Sequence, residues 1–214
     1  MSVEYIDHMG NDDSVVRAAR VSFDKSPELY TAEENARLIA YLARHGHEIP
    51  FAHTAITLRV RAPVAVRAQA FKHKIGFVES EVSRRYVSFT PKFFTPEFRA
   101  AAENVKQGSG ELLDDEKQEQ LRETYTAFMR GAQVMYHNFL DAGVAPEQAR
   151  FLLPQGMMTE WVWTGSLLAF ARFYRLRSDA HAQKEIQDLA HEVGAIIADL
   201  FPVSWKALTG VKHD

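Results

Sequence analysis

The chain contains no cysteine. That absence excludes disulfides, thiolate metal sites, iron–sulfur ligation and a cysteine nucleophile. No apolar run approaches the length of a membrane span, roughly 20 residues. The start, Met1-Ser2-Val3-Glu4, lacks the basic-then-apolar pattern of a signal peptide. A cytoplasmic protein without a membrane partner is expected. Positive charge is in deficit, with 25 Lys and Arg against 28 Asp and Glu and a net charge of -3. A nucleic-acid partner needs a broad basic face, and a sequence pI near 6.3 argues against one. Gly-x-Gly-x-x-Gly and Walker-type loops are missing, so a bound nucleotide must be held by another geometry. There is no internal repeat and no low-complexity linker.

What is present suits a globular protein. The 214 residues are 46% hydrophobic, enough to bury a sizeable core, and read as a single domain over 1–214. Residues 3–8 read as a short strand. Asp12-Asp13-Ser14 supply cap chemistry for a helix from Val15 to Val21. Thr31-Ala32-Glu33-Glu34 has capping-box spacing before a helix to about Arg44, with Leu38, Ile39 and Leu42 as its apolar stripe. Ile56, Leu58 and Val60 alternate with Thr57, Arg59 and Arg61, the pattern of a half-buried strand. Pro63 suits the first position of a helix through about Phe71. Tyr86 to Phe89 looks extended. Residues 104–115 are the most loop-like. A long helix from about Glu116 to Ala142 follows, then a helix opened by Pro146 and ended by Pro154. Met157 to Trp163 reads as strand, and 164–176 and 181–200 as helix. The lack of regular strand–helix alternation argues against a doubly wound parallel sheet. The expectation is a mixed α+β, helix-rich fold with a small, mostly antiparallel sheet.

Cationic residues cluster on this acidic chain. Lys72-His73-Lys74 is followed, after an eight-residue spacer, by Ser83-Arg84-Arg85-Tyr86. Arg offers a planar fork of donors, Lys a point charge and Ser a short hydroxyl, the groups that grip a phosphate. A solvated charged surface is the alternative, but Phe71, Phe77, Val78 and Val82 interleave with the charges. A second cluster is Arg172, Arg175 and Arg177, with Ser178 or Asp179 placed to cap the next helix. Either an anion site or a corner held by Arg–Asp pairing fits it. Arg150 lies at the start of another helix, where a lone Arg is usually a surface residue. His45, His47 and His53 match no metal-binding spacing, and no metal is expected. Trp161, Trp163, Phe170, Phe173 and Tyr174 read as core packing.

The order of these segments resembles one family, the flavin-dependent thymidylate synthases. Met9-Gly10-Asn11-Asp12 with Val16 to Phe23 is similar to its N-terminal block. His45-Gly46-His47-Glu48-x-Pro50-Phe51-x-His53 is similar to the next. Lys72-His73-Lys74 through Ser83-x-Arg85-Tyr86 resembles the signature Arg-His-Arg followed by Ser, with Lys for both Arg and a spacer one residue longer. Gln148-Ala149-Arg150-x-x-Leu153-Pro154 and Leu176-Arg177-x-Asp179-x-His181-Ala182-Gln183-x-Glu185 resemble the last two blocks.

The resemblance implies a homotetrameric methyltransferase with active sites at subunit interfaces. It would convert dUMP to dTMP with methylenetetrahydrofolate as carbon donor and FAD reduced by NADPH. The family needs no cysteine nucleophile, unlike the ordinary thymidylate synthases. It implies Arg177 as the residue that polarises the uracil, and Ser83, Arg85 and Arg150 as the phosphate grip. Gln69, Lys72, Glu81, Val82 and Arg84 complete the dUMP contacts. His47, Ile49, Lys72, His73, Lys74, Glu81, Ser166, Arg172 and His181 fall at flavin-side positions. The Lys-for-Arg changes keep a second reading open: a flavin- or nucleotide-binding protein without methylase activity.

Overall fold

Two apolar alternations, both in segments read from the sequence as strand, build the centre of the molecule. The computed structural model describes residues 1–102 and 108–210. Its strands are β1 (Ser2–Met9), β2 (Ala55–Pro63), β3 (Phe77–Glu81), β4 (Arg99–Ala101), β5 (Ser109–Leu112) and β6 (Met158–Gly165). A four-stranded sheet in the order β1-β2-β6-β3 is antiparallel throughout, and β4 pairs with β5 in a separate ribbon. Successive side chains alternate across a strand. Ile56, Leu58, Val60 and Ala62 of β2 and Trp161 and Trp163 of β6 therefore share one buried face. The opposite face is polar: Thr57 meets Thr164 at 3.0 Å, and Arg59 meets Glu160 at 3.5 Å.

The helices are α1 (Asp12–Arg20), α2 (Ala32–Arg44), α3 (Val64–Ala70), α4 (Asp115–Asp141), α5 (Pro146–Ala149), α6 (Leu167–Arg177), α7 (Lys184–Leu200) and α8 (Pro202–Thr209). The buried side chains of α1, α2, α3, α6, α7 and α8 join the inner sheet face in one hydrophobic core. The five aromatic residues read as core are there, Tyr174 at its margin. The long helix α4 is different. It buries Met129, Ala132 and Tyr136 but leaves Phe128, Val134, Met135 and Phe139 exposed.

The mixed α+β expectation and most elements hold, and the differences have local causes. Thr31 and Glu34 form the expected capping box of α2. In α1 the cap is Asn11 instead of Asp12-Asp13-Ser14: its Oδ1 accepts from the Ser14 N–H at 3.1 Å, and the Ser14 Oγ accepts from the Asn11 N–H. Pro63 ends β2, opposite Met158, and caps α3 with ψ 154°, so the helix starts one residue later. Tyr86 to Phe89 is not a strand, because the Tyr86 and Val87 N–H groups both donate to the Ser83 carbonyl and close a turn. The loop expected over 104–115 contains β5 and the start of α4; residues 103–107 lie outside the described ones. Thr164 and Gly165 belong to β6, and Ser166 caps α6 by accepting from the Ala169 N–H. Ser178 and Asp179 do not cap α7: the Ser178 hydroxyl donates back to the Tyr174 carbonyl, and Asp179 accepts from the His181 N–H.

Strands β3, β4 and β5 and helix α8 were not anticipated. Strand β3 is introduced by Gly76, whose φ of +80° favours glycine, and where a Cβ would meet Ala169 Cβ at 2.9 Å. It pairs with β6 without a register shift, so the longer spacer before Ser83 makes no bulge within it. Helix α8 receives its cap from the far end of the chain. The Asp12 carboxylate accepts from the Val203 N–H at 3.0 Å and the Ser204 N–H at 2.8 Å. A carboxylate at a helix N-terminus satisfies orphan donors and complements the helix dipole. Asp12→Ala is expected to cost roughly 1–2 kcal/mol of stability. Asp13→Ala, on the exposed side of the same turn, should cost under about 0.5 kcal/mol. Urea denaturation of the two variants checks this.

Candidate functional site

The edge strand β3 ends where the Val82 N–H donates to the Glu160 carbonyl at 2.9 Å, and the chain then turns at Ser83. That turn forms one wall of a cavity of about 410 Å³, lined among others by Arg67, Glu81, Val82, Ser83, Arg84, Arg150 and Thr159. Across its mouth the N-terminus of α5 brings in Glu147. Arg85 Nε lies 3.3 Å from Glu147 Oε2, and Arg150 Nε donates to the Glu147 carbonyl at 3.2 Å. Ser83, Arg85 and Arg150 are therefore drawn together, although the chain between them includes the whole of α4. Arg84 departs from its neighbours. It is 6% exposed, its guanidinium lies 4.2 Å from the Phe89 ring centroid, and it donates to the Phe89 carbonyl. Its charge is engaged in packing, a cation–π arrangement that fixes the turn.

A second group forms where α3 meets the end of α6 and the start of α7. Arg177 Nε donates to His73 Nε2 at 2.9 Å, and the edge of the His73 ring meets Phe173 at 5.1 Å between centroids. Arg has no acceptor, so Nε2 of His73 must be the unprotonated nitrogen. Burial, and then the Arg177 charge, push the His73 pKa down from 6.5 to about 4. The imidazole is thus neutral at physiological pH. Beside it, Gln69 Nε2 donates to Gln183 Oε1 at 2.5 Å.

Of the remaining expected flavin-side residues, Glu81 lies in the Ser83 cavity and the others are exposed or half-buried. Lys72 is exposed, and Lys74 pairs with Glu79. Arg172 donates to Glu48 Oε2 at 2.5 Å. His181 accompanies Asp179, whose carboxyl is held below its usual range by hydrogen bonds from His181. His47 stacks near Tyr41, Ser166 caps α6, and Ile49 is 75% exposed. Among the described residues, no hydrogen bond or ion pair joins this group to the one around Ser83. Sequence reading missed Arg67, Glu147 and Thr159. None stands in a recognisable motif; each reaches the site through pairing across the sheet or between helices.

Comparison with known proteins narrows the chemistry. A family model described as thymidylate synthase complementing protein matches residues 4–203. The flavin-dependent thymidylate synthase of Thermotoga neapolitana is 38% identical over 205 residues, covering 96% of this chain and 89% of that protein. The same enzyme of Thermus thermophilus is 38% identical over 207 residues, covering 96% of this chain and 74% of its own length. Among solved structures, the UMP/dUMP methylase PolB of Streptomyces cacaoi bound with 5-Br dUMP superimposes with a TM-score of 0.89. It is 30% identical, over 98% of this chain and 94% of that one.

The His73 environment sets a pH dependence. In the unfolded chain a histidine takes up its proton near 6.5, whereas the folded ring stays neutral down to about 4. The unfolded state thus binds more protons in that window, and stability falls as pH drops from 6.5 to 4. Histidine-ring NMR should find His73 titrating near 4. Arg177→Ala should move this value upward only part of the way, because burial is the larger cause.

Proposed function

The chain belongs to the flavin-dependent thymidylate synthases, a family of methyltransferases, and on that premise we propose that it methylates dUMP to dTMP with methylenetetrahydrofolate as carbon donor. The observation that carries this reading is that Ser83 and Arg150 line one cavity, with Arg85 drawn toward Arg150 through Glu147 and Arg177 held by a neutral histidine elsewhere on the same fold. The relative of the same fold bound with 5-Br dUMP supports a uridine nucleotide as the ligand.

In this reading Ser83, Arg85 and Arg150 bind the phosphate. The half-exposed Arg85–Glu147 pair is no obstacle, since such pairs contribute at most about 1 kcal/mol. A dianionic phosphate with bidentate Arg geometry replaces the carboxylate readily. Gln69, Lys72, Glu81 and the backbone of Val82 and Arg84 complete the nucleotide contacts. Arg177 stabilises the negative charge that develops on the uracil as C5 becomes nucleophilic. His73 engages Nε of Arg177 only, so the terminal nitrogens of the fork remain for the ring.

A methylene group transferred from the folate needs two more electrons to become a methyl group. When bound, FAD reduced by NADPH would supply them as a hydride. The side chains on the Arg177 side of the molecule suit a flavin. Ile49 is 75% and Ile75 79% exposed, apolar surface of the kind a planar ring covers, and Ile75 follows the neutral His73 and the exposed Lys72 in the chain. Lys74, Arg172, His47, His181, Ser166 and Glu81 are the further flavin-side residues. Lys74 and Arg172 reach a diphosphate only by leaving Glu79 and Glu48.

A homotetramer is part of the proposal. Phe128, Val134, Met135 and Phe139 on α4 expose more apolar surface than a lone protomer would ordinarily leave to water. Packing copies together would cover it and bring the phosphate group of one protomer toward the Arg177 group of another. The single domain and the cytoplasmic location belong to the same reading.

Product analysis tests it. Protein with FAD, dUMP, methylenetetrahydrofolate and NADPH should form dTMP, and omission of dUMP or NADPH should abolish it. Arg177→Ala should lower kcat by roughly 10²- to 10³-fold while FAD stays bound. NADPH oxidation insensitive to dUMP, with no dTMP, would instead favour a flavin-binding protein without methylase activity. That second reading draws on the Lys72 and Lys74 substitutions.

A further inference from the structure

Inside the cavity that contains Ser83 and Arg150, one side chain has the wrong charge for a phosphate. Glu81 ends β3 and lines the same space. An ionised carboxylate accepts hydrogen bonds, cannot donate them, and repels an anion. Its place among arginines suits a ligand that brings two things at once: a phosphate for the cations and a hydroxyl or N–H for the carboxylate.

The Glu81 carboxylate is held from two rigid elements. The Thr159 hydroxyl, on β6, donates to Glu81 Oε1 at 2.7 Å. Arg67 Nε, on α3, lies 3.3 Å from the same oxygen, buried and out of line for a hydrogen bond. Both contacts fall on Oε1. The second oxygen, Oε2, is the one left for a ligand. In a nucleotide the sugar sits next to the phosphate, and Glu81 is separated from Ser83 by Val82 alone. The sugar hydroxyl is therefore the donor within reach, ahead of the more distant base.

We propose that Thr159 and Arg67 are positioning residues that orient Glu81 as the acceptor for the sugar hydroxyl of a 2′-deoxyuridine nucleotide. They thereby make the site selective for a nucleotide with a free 3′-hydroxyl. This inference rests on the cavity being the dUMP site. A mispositioned acceptor loses its bond to the hydroxyl but leaves the phosphate contacts intact, so the loss is confined to ligands that carry the hydroxyl.

The test is calorimetric titration of the FAD-saturated protein with dUMP and with 2′,3′-dideoxyuridine monophosphate. The natural chain should bind dUMP roughly tenfold more tightly than the dideoxy compound, the size of one hydrogen bond to a charged group. Thr159→Val should bring that ratio close to one by weakening dUMP alone, and Thr159→Ser should preserve it. Arg67→Met should lower it as well, and carries the test if Thr159→Val does not fold. Equal weakening of both ligands, or an unchanged ratio in Thr159→Val and Arg67→Met, overturns the proposal and leaves the dUMP reading standing. Failure of the natural chain to bind either ligand overturns the dUMP reading itself.

Discussion

The packing of Trp163 against three phenylalanine rings is the contact on which both halves of the site depend. Its indole stacks on Phe77 at 4.5 Å between centroids and meets the edges of Phe170 and Phe173 at 5.2 and 4.9 Å. Phe77 begins β3, the strand that runs to Glu81 and the Ser83 turn. Phe170 and Phe173 belong to α6, the helix that ends at Arg177. Phe173 also supports the His73 ring. One aromatic cluster thus sets the distance from the edge strand to the helix that carries the guanidinium. Gly165 allows it, because a side chain there would collide with the Phe77 ring. Aromatic rings bury large areas and favour offset or edge-to-face contact, so such a cluster is stiff as well as stabilising.

The electrostatics around this frame are balanced locally. Three of the cations read from the sequence as ligand-binding face carboxylates: Arg85 with Glu147, Lys74 with Glu79 and Arg172 with Glu48. Most of these pairs are partly exposed, where mutual attraction is weak and screened. They keep the free protein from carrying a concentrated positive field, which agrees with its net charge of -3. An anionic ligand can replace the carboxylates at small cost. Arg84 is held differently. Burial and the Phe89 and Tyr136 rings commit it to the turn, so its contribution is to shape more than to charge.

Local signals were legible and distant ones were not. The α2 capping box and the β2 alternation depend on residues a few positions apart, and both appear as read. The α1 cap slid to Asn11 because Asp12 is drawn to α8, at the other end of the chain. The turn at Tyr86 depends on the Ser83 carbonyl, which is free to close it only because pairing with β6 has stopped. In the site, residues inside contiguous motifs were visible in sequence: His73, Ser83, Arg85, Arg150 and Arg177. Glu147, Thr159 and Arg67 were not, since nothing in their immediate neighbours marks them.

The sequence by itself determined the fold class and the family, because helix caps, strand alternation and motif order are short-range properties. It also supplied most of the side chains of the proposed site, and no cysteine among them. Only the tertiary structure decided how those side chains are used. It turned Arg84 inward, held the His73 ring neutral to lower pH by burying it against Arg177, and set Thr159 and Arg67 on Glu81. Those outcomes depend on the pairing of β3 with β6 and the seating of α6 on Trp163, contacts between residues remote in the chain that no local pattern encodes.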